Sequence, residues 1–254
     1  NGTPAYGPTD DQESKVALRR AYDLGVNFYD TADLYGHGHS ERLIGSTLKD
    51  VRRNVIIATK VGFLGDDGGK DFSPKHIRQS LEASLTRLRT DYIDLYQLHS
   101  PPIDVLTGDD SISSVLHDLE NEGKVRASGI SLRSPDDGLV AITKYGFKSI
   151  QVNFNLVDQR ALENGLFDLC KKEKVGIIVR TPLSFGFLTG AYSAEGNFDA
   201  GDHRSRWSSK QMTRWASACQ LFAAELTGHE RPTYAQIALR FCLSYPSVST
   251  VIPG

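Results

Sequence analysis

Short apolar runs alternate with longer amphipathic stretches along the whole chain. The runs are almost continuously apolar and rich in β-branched residues, which is typical of parallel strands covered on both faces. In the stretches between them, apolar residues recur at the spacing of one helix face. The alternation predicts parallel strands joined by right-handed helical crossovers, with the strands at 26–30, 55–60, 93–99, 125–130, 150–154, 176–179 and 248–252.

Two of the predicted helices carry clear start signals. Ser73 before Pro74 and Ser134 before Pro135 each combine an N-cap hydroxyl with a proline suited to the first helical turn. Apolar residues then follow at helical spacing, namely Ile77, Leu81, Leu85 and Leu88 after the first signal and Leu139 and Ile142 after the second.

Seven predicted strands are one fewer than an eight-stranded barrel contains. The 254-residue chain opens on turn-forming residues and stops directly after its last predicted strand. We therefore expect an α/β fold, a (β/α)8 TIM barrel that lacks its first strand and its C-terminal helix in this sequence, as a single domain over 1–254. An open, doubly wound sheet is the alternative, but it leaves bare edges that barrel closure removes, and no G-x-G-x-x-G motif follows any predicted strand.

The charge pattern argues against nucleic acid and membranes as partners. The formal net charge is -2, from 29 basic and 31 acidic residues interspersed along the chain, so no basic face or tail is available for polyanions. No apolar run approaches the roughly 18 residues needed to cross a bilayer, and the first residues lack a secretory signal pattern. We expect a cytoplasmic protein with a small-molecule partner, and the sequence leaves its oligomeric state open.

The three cysteines, Cys170, Cys219 and Cys242, each lie among apolar neighbours in a helix-like stretch. A small, odd number of cysteines predicts buried thiols in a reducing compartment. Neither a disulfide framework nor a zinc site is expected.

Polar residues stand where several predicted strands end. In FYDTADLYGHG, residues 28–38, Asp30 ends a strand and Tyr35 follows in its loop, while Lys60 and His99 end the next two strands. In a βα barrel, the C-terminal ends of the strands line the active-site face. Each residue alone has an ordinary structural explanation, as a helix cap, a solvated strand end or a hydrogen-bonded core histidine. Their occurrence on three successive strands predicts an active site instead.

This set of residues suits proton transfer to a carbonyl oxygen. A tyrosine is a weak acid at neutral pH because its ordinary pKa is about 10, but an ammonium group nearby stabilises the phenolate. Lys60 supplies that charge for Tyr35, and Asp30 keeps the lysine charged and oriented. His99 can donate a hydrogen bond to the substrate oxygen. The set lacks a nucleophile paired with a base and lacks metal-ligand spacing, so we expect it to act beside a hydride donor.

Seven motifs resemble those of the aldo-keto reductase family, in that family's order and with its spacings: FYDTADLYG, IIATKVG, DLYQLH, GKVRASGIS, IQVNFN, TPLSFGFLTG and VIPG. The resemblance extends along nearly the whole chain. It implies that Asp30, Tyr35, Lys60 and His99 form the family's catalytic tetrad, with Tyr35 as the general acid in the reduction of an aldehyde, ketone or sugar. It also implies a nicotinamide cofactor that is held without a Rossmann fold.

The same resemblance implies which residues contact the cofactor. They are Ser131 and Gln151 at the carboxamide, Arg180 at the nicotinamide, Leu183, Ser184, Gly186 and Leu188 along the pyrophosphate, and Pro253 and Gly254 in the last motif. Small residues and free backbone N–H groups in PLSFGFLTG suit a phosphate, although the same pattern is typical of a turn before a helix. NADPH is the expected cofactor by resemblance, with NADH as the alternative, because the family's 2′-phosphate contacts follow VIPG.

Two positions depart from the family pattern. Leu132 stands where many members have an asparagine that contacts the carboxamide, and Arg180 stands where many have a tyrosine that stacks on the nicotinamide. A guanidinium stacks on flat rings but repels a cation. We hypothesise that Arg180 favours the reduced cofactor, the alternative being that it forms a salt bridge to one side.

The polar stretch 191–211 is long for a connection inside a compact domain. Such a stretch is either a lid or binding segment or a solvated surface loop. Within it, Arg204 and Arg206 beside Trp207 are candidates to reach over the cofactor or the substrate, which predicts that removing either arginine weakens cofactor binding.

Three functions fit these observations. The first is a reductase that moves hydride between the cofactor and a carbonyl. The second is a nicotinamide-binding regulatory subunit with the same fold and slow turnover, as in the auxiliary subunits of potassium channels. The third is a non-catalytic barrel, in which all four polar strand ends are coincidental. The complete tetrad favours the reductase.

Overall fold

The computed structural model describes residues 9–65, 68–107, 110–192, 198, 202–221 and 232–253. These residues group into two compact units. The first unit contains 9–133 and 140–150, and the second contains 134–139 and the described part of 151–253. The expectation of a single domain over 1–254 stays a prediction.

All seven predicted strands are confirmed, with small shifts at their ends. Strands β1 to β7 span Phe28–Asp30, Ile56–Val61, Leu95–His99, Ser128–Ser131, Ser149–Asn153, Gly176–Arg180 and Val248–Ile252. The predicted starts of β3 and β4, Ile93 and Val125, form an isolated parallel bridge ahead of the regular pairing. In β3 and β4, hydrogen-bonded pairing therefore begins where the apolar runs begin, and the regular strands start two and three residues further along the chain.

Helices fill the connections. Helices α1 to α10 span Asp11–Asp23, His39–Thr47, Pro74–Leu88, Ile103–Thr107, Ser111–Asn121, Pro135–Tyr145, Arg160–Glu163, Leu166–Glu173, Ser209–Leu221 and Tyr234–Leu243, and 3-10 helices span Lys49–Asn54, Ser184–Thr189 and His203–Arg206. Both predicted start signals are confirmed. The Ser73 hydroxyl accepts a hydrogen bond from the His76 backbone N–H at 3.3 Å, and the Ser134 hydroxyl accepts one from the Asp137 backbone N–H at 3.2 Å. Within the described ranges, no helix is long and apolar enough to cross a membrane.

The strands pair in parallel with their neighbours in the chain. In the first unit, β1 pairs with β2, β2 with β3 and β3 with β4, so the carboxyl ends of these four strands meet at one edge. In the second unit, β6 pairs with β7, and Arg180 lies opposite Ile252. Parallel strands alternating with helices confirm the predicted (β/α)8 TIM barrel class.

A polar network at the start of β3 stabilises the opposite edge of the first unit. Asp94 accepts the Ile57 backbone N–H at 3.0 Å and forms ion pairs with Arg52 at 2.7 Å and Arg126 at 3.2 Å. The two guanidinium groups lie over the Tyr92 ring, at 4.1 and 4.0 Å from its centroid. Because the network lies at the amino ends of the strands, it serves stability and leaves the carboxyl ends for function.

The three cysteines are buried free thiols, as predicted. Burial raises the pKa of Cys170 and of Cys242 to about 12. Both side chains are therefore neutral thiols at physiological pH and behave as small apolar core residues.

Candidate active site

The four side chains predicted to act in catalysis all lie in the first unit. Asp30 ends β1, His99 ends β3, and Lys60 is the penultimate residue of β2. The parallel register of these strands places all three at the carboxyl edge of the sheet. Tyr35 lies in the turn between β1 and α2, just beyond the carboxyl end of β1.

Lys60 and Asp30 form the predicted ion pair, and it is buried. Lys60 is 1% exposed. Its Nζ contacts the Asp30 carboxylate and donates a hydrogen bond to the Thr31 carbonyl at 2.8 Å. The Gln97 amide donates to the other Asp30 oxygen at 3.2 Å. Buried charges persist only when they are paired and hydrogen-bonded, so these contacts hold an ammonium charge at a fixed position.

Tyr35 and His99 are more accessible than this ion pair. The Lys60 Nζ lies 5.2 Å from the centroid of the Tyr35 ring, and the Tyr35 ring is edge-to-face with His99 at 5.9 Å between centroids. Tyr35 is 42% exposed. Phe63 packs edge-to-face against His99 at 4.7 Å, which restricts the imidazole. An exposed phenol and an imidazole thus lie beside a buried ammonium group.

A second buried ion pair adjoins this site, and the sequence analysis missed it. Glu41 is fully buried and accepts hydrogen bonds at 2.6 Å from the Thr59 hydroxyl and at 2.6 Å from Arg87 Nε. Thr59 is the residue before Lys60 in β2. Glu41 therefore ties α2, β2 and α3 together directly behind the lysine.

Asp33, in the loop that carries Tyr35, borders a cavity of about 230 Å³ lined by Asp33, Leu34, His37, Phe63, Leu64, Ser80, Ala83 and Arg87. The tetrad residues do not line it. Within the described part of the chain, the buried Asp33 Oδ1 has no hydrogen-bond partner. Burial, assisted by the Glu41 charge, raises the pKa of Asp33 to about 7, against the opposing effects of the Leu34 N–H and of the Arg87 and Lys60 charges.

Asp33 is expected to make the folded state less stable as the pH rises. Its pKa rises from 3.8 to about 7 on folding. The contribution of Asp33 to the stability of the folded state is therefore complete below about pH 4 and is lost progressively as the pH rises through about 7. The shift corresponds to roughly 4 kcal/mol. We expect the melting-temperature advantage of Asp33→Asn over the wild type to be larger at pH 8 than at pH 5. Calorimetry at both pH values measures this advantage, with Asp91→Asn, at an exposed position, as the control. An advantage that is the same at both pH values would contradict the raised pKa of Asp33.

The predicted cofactor residues fall in both units. Ser131 ends β4 in the first unit and is 2% exposed. Gln151 lies in β5, belongs to the second unit and is also 2% exposed. Arg180 ends β6, and the pyrophosphate candidates Leu183, Ser184, Gly186 and Leu188 lie in the turn after β6. Pro253 directly follows β7, and Gly254 lies outside the described residues.

The turn after β6 has an unusual backbone. The angle φ is positive at Thr181 (57°), Ser184 (46°) and Gly186 (93°), a conformation that is uncommon for non-glycine residues. The backbone N–H of Ser184 donates to Thr181, and those of Gly186 and Leu188 donate to Leu183, at 2.9 to 3.0 Å. These three N–H groups are therefore not the free donors that the sequence pattern suggested, because so tight a turn satisfies its own donors.

Arg204 is buried against this turn, so its proposed reach over a ligand is not supported. It is 7% exposed and forms an ion pair with Asp202 at 2.6 Å. It also donates to the Phe185 carbonyl at 3.3 Å and to the Tyr192 hydroxyl at 2.7 Å. Its guanidinium lies 4.3 Å from the Phe198 ring centroid. Arg204 therefore fixes the position of the turn from inside the second unit.

Arg204→Met is expected to lower the free energy of unfolding by about 2 kcal/mol, because Asp202 loses its partner and the turn loses a hydrogen bond. The neighbouring Arg206 is exposed, and Arg206→Met serves as the matched control.

Both tryptophans, Trp207 and Trp215, contact Phe185 of the turn at 4.5 and 5.9 Å between ring centroids. Urea unfolding followed by tryptophan fluorescence measures the difference. Equal unfolding midpoints for the two variants would show that Arg204 does not stabilise the turn.

Within the described ranges, no group of three or more His, Cys, Asp and Glu side chains is placed to hold a metal ion. The side chains brought together here are one buried ion pair, an exposed phenol and an imidazole. Groups of these kinds are chemically able to transfer a proton and to stabilise an oxyanion.

The sequence model of the Aldo/keto reductase family matches residues 1–254, which is the whole chain. The chain belongs to the aldo/keto reductase family. A relative from Bacillus subtilis (strain 168), the uncharacterized oxidoreductase YqkF, is 32% identical over 252 residues, covering 97% of this chain and 79% of the relative. The resemblance noted in the sequence is thereby confirmed.

Solved structures of family members share this fold. The aldo-keto reductase AKR11C1 from Bacillus halodurans, in its holo form, matches with a TM-score of 0.77 and 31% identity, over 98% of this chain and 79% of the other. The glycerol dehydrogenase AKR11B4 from Gluconobacter oxydans matches with a TM-score of 0.80 and 29% identity, over 97% of this chain and 77% of the other. Both matches support the TIM barrel class and oxidoreductase chemistry.

Relatives of this chain are named for different nicotinamide cofactors. The aldo-keto reductase yakc [NADP(+)] of Schizosaccharomyces pombe is 30% identical over 263 residues, covering 98% of this chain and 76% of the relative. The NADH-specific methylglyoxal reductase of Escherichia coli (strain K12) is 34% identical over 212 residues, covering 76% of this chain and 64% of the relative. Membership in the family supports a nicotinamide cofactor, and these names leave its phosphorylation state open.

Proposed function

We propose that this protein reduces an aldehyde, ketone or sugar carbonyl to an alcohol, using NADPH as the hydride source and Tyr35 as the general acid. The observation that carries the proposal is the buried Lys60–Asp30 pair, whose Nζ lies 5.2 Å from the centroid of the exposed Tyr35 ring. A stable fold does not require an ammonium group buried beside an exposed phenol. Such a group stabilises negative charge on the phenolate oxygen as its proton leaves.

The proposed proton path uses these groups. As the carbonyl carbon accepts hydride, its oxygen gains negative charge and takes a proton. The Tyr35 hydroxyl donates that proton, and His99 donates a hydrogen bond to the same oxygen. Asp30 does not exchange protons with the substrate, because its role is to hold Lys60 charged and in place.

The residue types at the predicted cofactor positions suit a nicotinamide dinucleotide. A carboxamide needs both a hydrogen-bond donor and an acceptor, and the Ser131 hydroxyl in the first unit and the Gln151 amide in the second each offer both. A pyrophosphate needs donors, and the Ser184 hydroxyl supplies one beside a turn of positive φ angles. When bound, the reduced cofactor supplies the hydride. The further contacts at Arg180, Leu183, Gly186, Leu188, Pro253 and Gly254 are part of the same proposal.

The choice of NADPH rests on the family resemblance, with NADH as the alternative. The preference of Arg180 for the reduced cofactor also stays a prediction. A cytoplasmic location and a small-molecule carbonyl partner complete the proposal. Nucleic acid and membranes are not expected as partners, since the charge pattern of the sequence favours neither polyanions nor membranes.

Turnover of 4-nitrobenzaldehyde tests the proposed function. The purified protein is mixed with NADPH or, separately, NADH, and the absorbance of the reduced cofactor is followed after the aldehyde is added. We expect sustained oxidation with one of the two. Cofactor binding with no oxidation would favour the regulatory subunit instead, and the absence of binding by folded protein would contradict the cofactor assignment.

A further inference from the structure

Two cationic residues border the tetrad without a role in the proton path. The first, Lys70, lies on a loop that folds back on itself: Phe63 and Lys70 form an antiparallel bridge. The backbone N–H of Asp71 donates to the Gly62 carbonyl at 2.8 Å, and this closes the loop. The backbone therefore places Lys70 directly opposite Phe63.

Lys70 reaches toward His99 from this position. Its Nζ lies 4.3 Å from the centroid of the Phe63 ring, which itself packs on His99 at 4.7 Å. The same Nζ donates to the carbonyl of Ser100, the residue after His99, at 2.7 Å. A lysine ammonium has three N–H donors, and within the described residues one of them is used in this hydrogen bond.

The second cation, Arg133, follows the adjacent strand. His99 lies opposite Ser131 in the β3–β4 register, and the Ser100 backbone N–H donates to the Ser131 carbonyl at 2.9 Å. Arg133 is two residues beyond Ser131 and is exposed. Burial first, and then the Arg133 charge, lowers the pKa of Lys70.

Neither cation is neutralised by the residues that the structure describes. Among them, no carboxylate forms an ion pair with Lys70 or Arg133. The adjacent acid, Asp71, instead accepts the Ser73 backbone N–H at 2.7 Å. Two cations that repel each other beside a substrate-binding histidine attract an anion.

We propose that Lys70 and Arg133 bind a carboxylate or phosphate group carried by the carbonyl substrate, while the carbonyl oxygen lies against Tyr35 and His99. The proposal rests on the proposed function and narrows it to acidic aldehydes and ketones. Arg133 offers the planar fork that binds such groups in a bidentate manner, and Lys70 offers a point charge. The two residues act on substrate binding and leave the proton path unchanged.

Two aldehydes of the same shape test this assignment: neutral 4-nitrobenzaldehyde and anionic 4-carboxybenzaldehyde. We expect the wild type to have the higher kcat/KM for the carboxylate. Lys70→Met and Arg133→Met should each lower that value by about tenfold, mainly through KM, because a charge-assisted contact is lost. Their effect on the neutral aldehyde should be much smaller. Lys144→Met, at an exposed position on α6, is the matched control and should not change the ratio.

Further variants and substrates separate the outcomes. Lys70→Arg should restore the preference for the carboxylate, which a variant that damages folding alone would not do. Comparing glyceraldehyde with glyceraldehyde 3-phosphate shows whether a phosphate group raises kcat/KM as the carboxylate is expected to do. Equal losses on the charged and neutral aldehydes, or an unchanged ratio, would overturn the anion site while leaving the reductase assignment intact. Turnover of neither aldehyde would overturn both.

Discussion

Tyr35→Phe lowers kcat for aldehyde reduction by a factor of about 10² to 10⁴, which is the usual contribution of a positioned general acid. Only the hydroxyl is lost, and the ring remains to pack edge-to-face against His99, as in the wild type at 5.9 Å. Cofactor affinity should therefore remain roughly unchanged. Steady-state kinetics combined with fluorescence titration of the reduced cofactor measures both quantities.

Tyr145→Phe, at the end of α6, is the matched control for loss of a phenol elsewhere in the first unit. The Tyr145→Phe variant should reduce the aldehyde at the wild-type rate. If Tyr35→Phe also kept the wild-type rate, the proton would have to come from another group, and the role given to the buried ammonium would be wrong.

Lys60→Met abolishes turnover and also destabilises the fold by about 3 to 5 kcal/mol, because it leaves a buried carboxylate without its cation. The Asp30 side chain is 8% exposed, so water cannot replace the lost partner. The Gln97 amide, which donates to Asp30 at 3.2 Å, is neutral. Urea unfolding gives the stability, and the aldehyde assay gives the turnover.

The double variant Lys60→Met with Asp30→Asn separates the two effects of the lysine. Removing both charges should recover much of the lost stability, since no uncompensated ion remains. Turnover should stay absent, because the phenolate still lacks its ammonium. Recovery of turnover in the double variant would show that Lys60 acts only as a structural residue.

The strands, and the meeting of Asp30, Lys60 and His99 at their carboxyl ends, could be predicted because local sequence determines them. An apolar run that ends in a charged residue indicates both a buried strand and its carboxyl end, as in β2 with Lys60. Residues at the ends of neighbouring parallel strands then meet without further information. The sequence analysis did not single out Gln97, a polar residue inside the apolar β3 whose amide donates to Asp30 at 3.2 Å.

Contacts between distant segments could not be predicted from local patterns. Arg204 lies in a polar stretch, but Phe185 and Tyr192 enclose it, and both lie at least twelve residues away in the sequence. The partner of Glu41 lies on α3, and only the packing of α2 against α3 brings Arg87 to it. The environment of Asp33 likewise depends on how that loop packs over α3.

Deuterium transfer tests the central claim most directly. The protein is incubated with 4-nitrobenzaldehyde and NADPH that carries deuterium at the transferred position, and the alcohol is analysed by mass spectrometry. Direct reduction at this site predicts one deuterium on the former carbonyl carbon in the wild type and almost no alcohol with Tyr35→Phe. Alcohol without deuterium, or equal amounts of alcohol from both proteins, would contradict hydride transfer assisted by Tyr35.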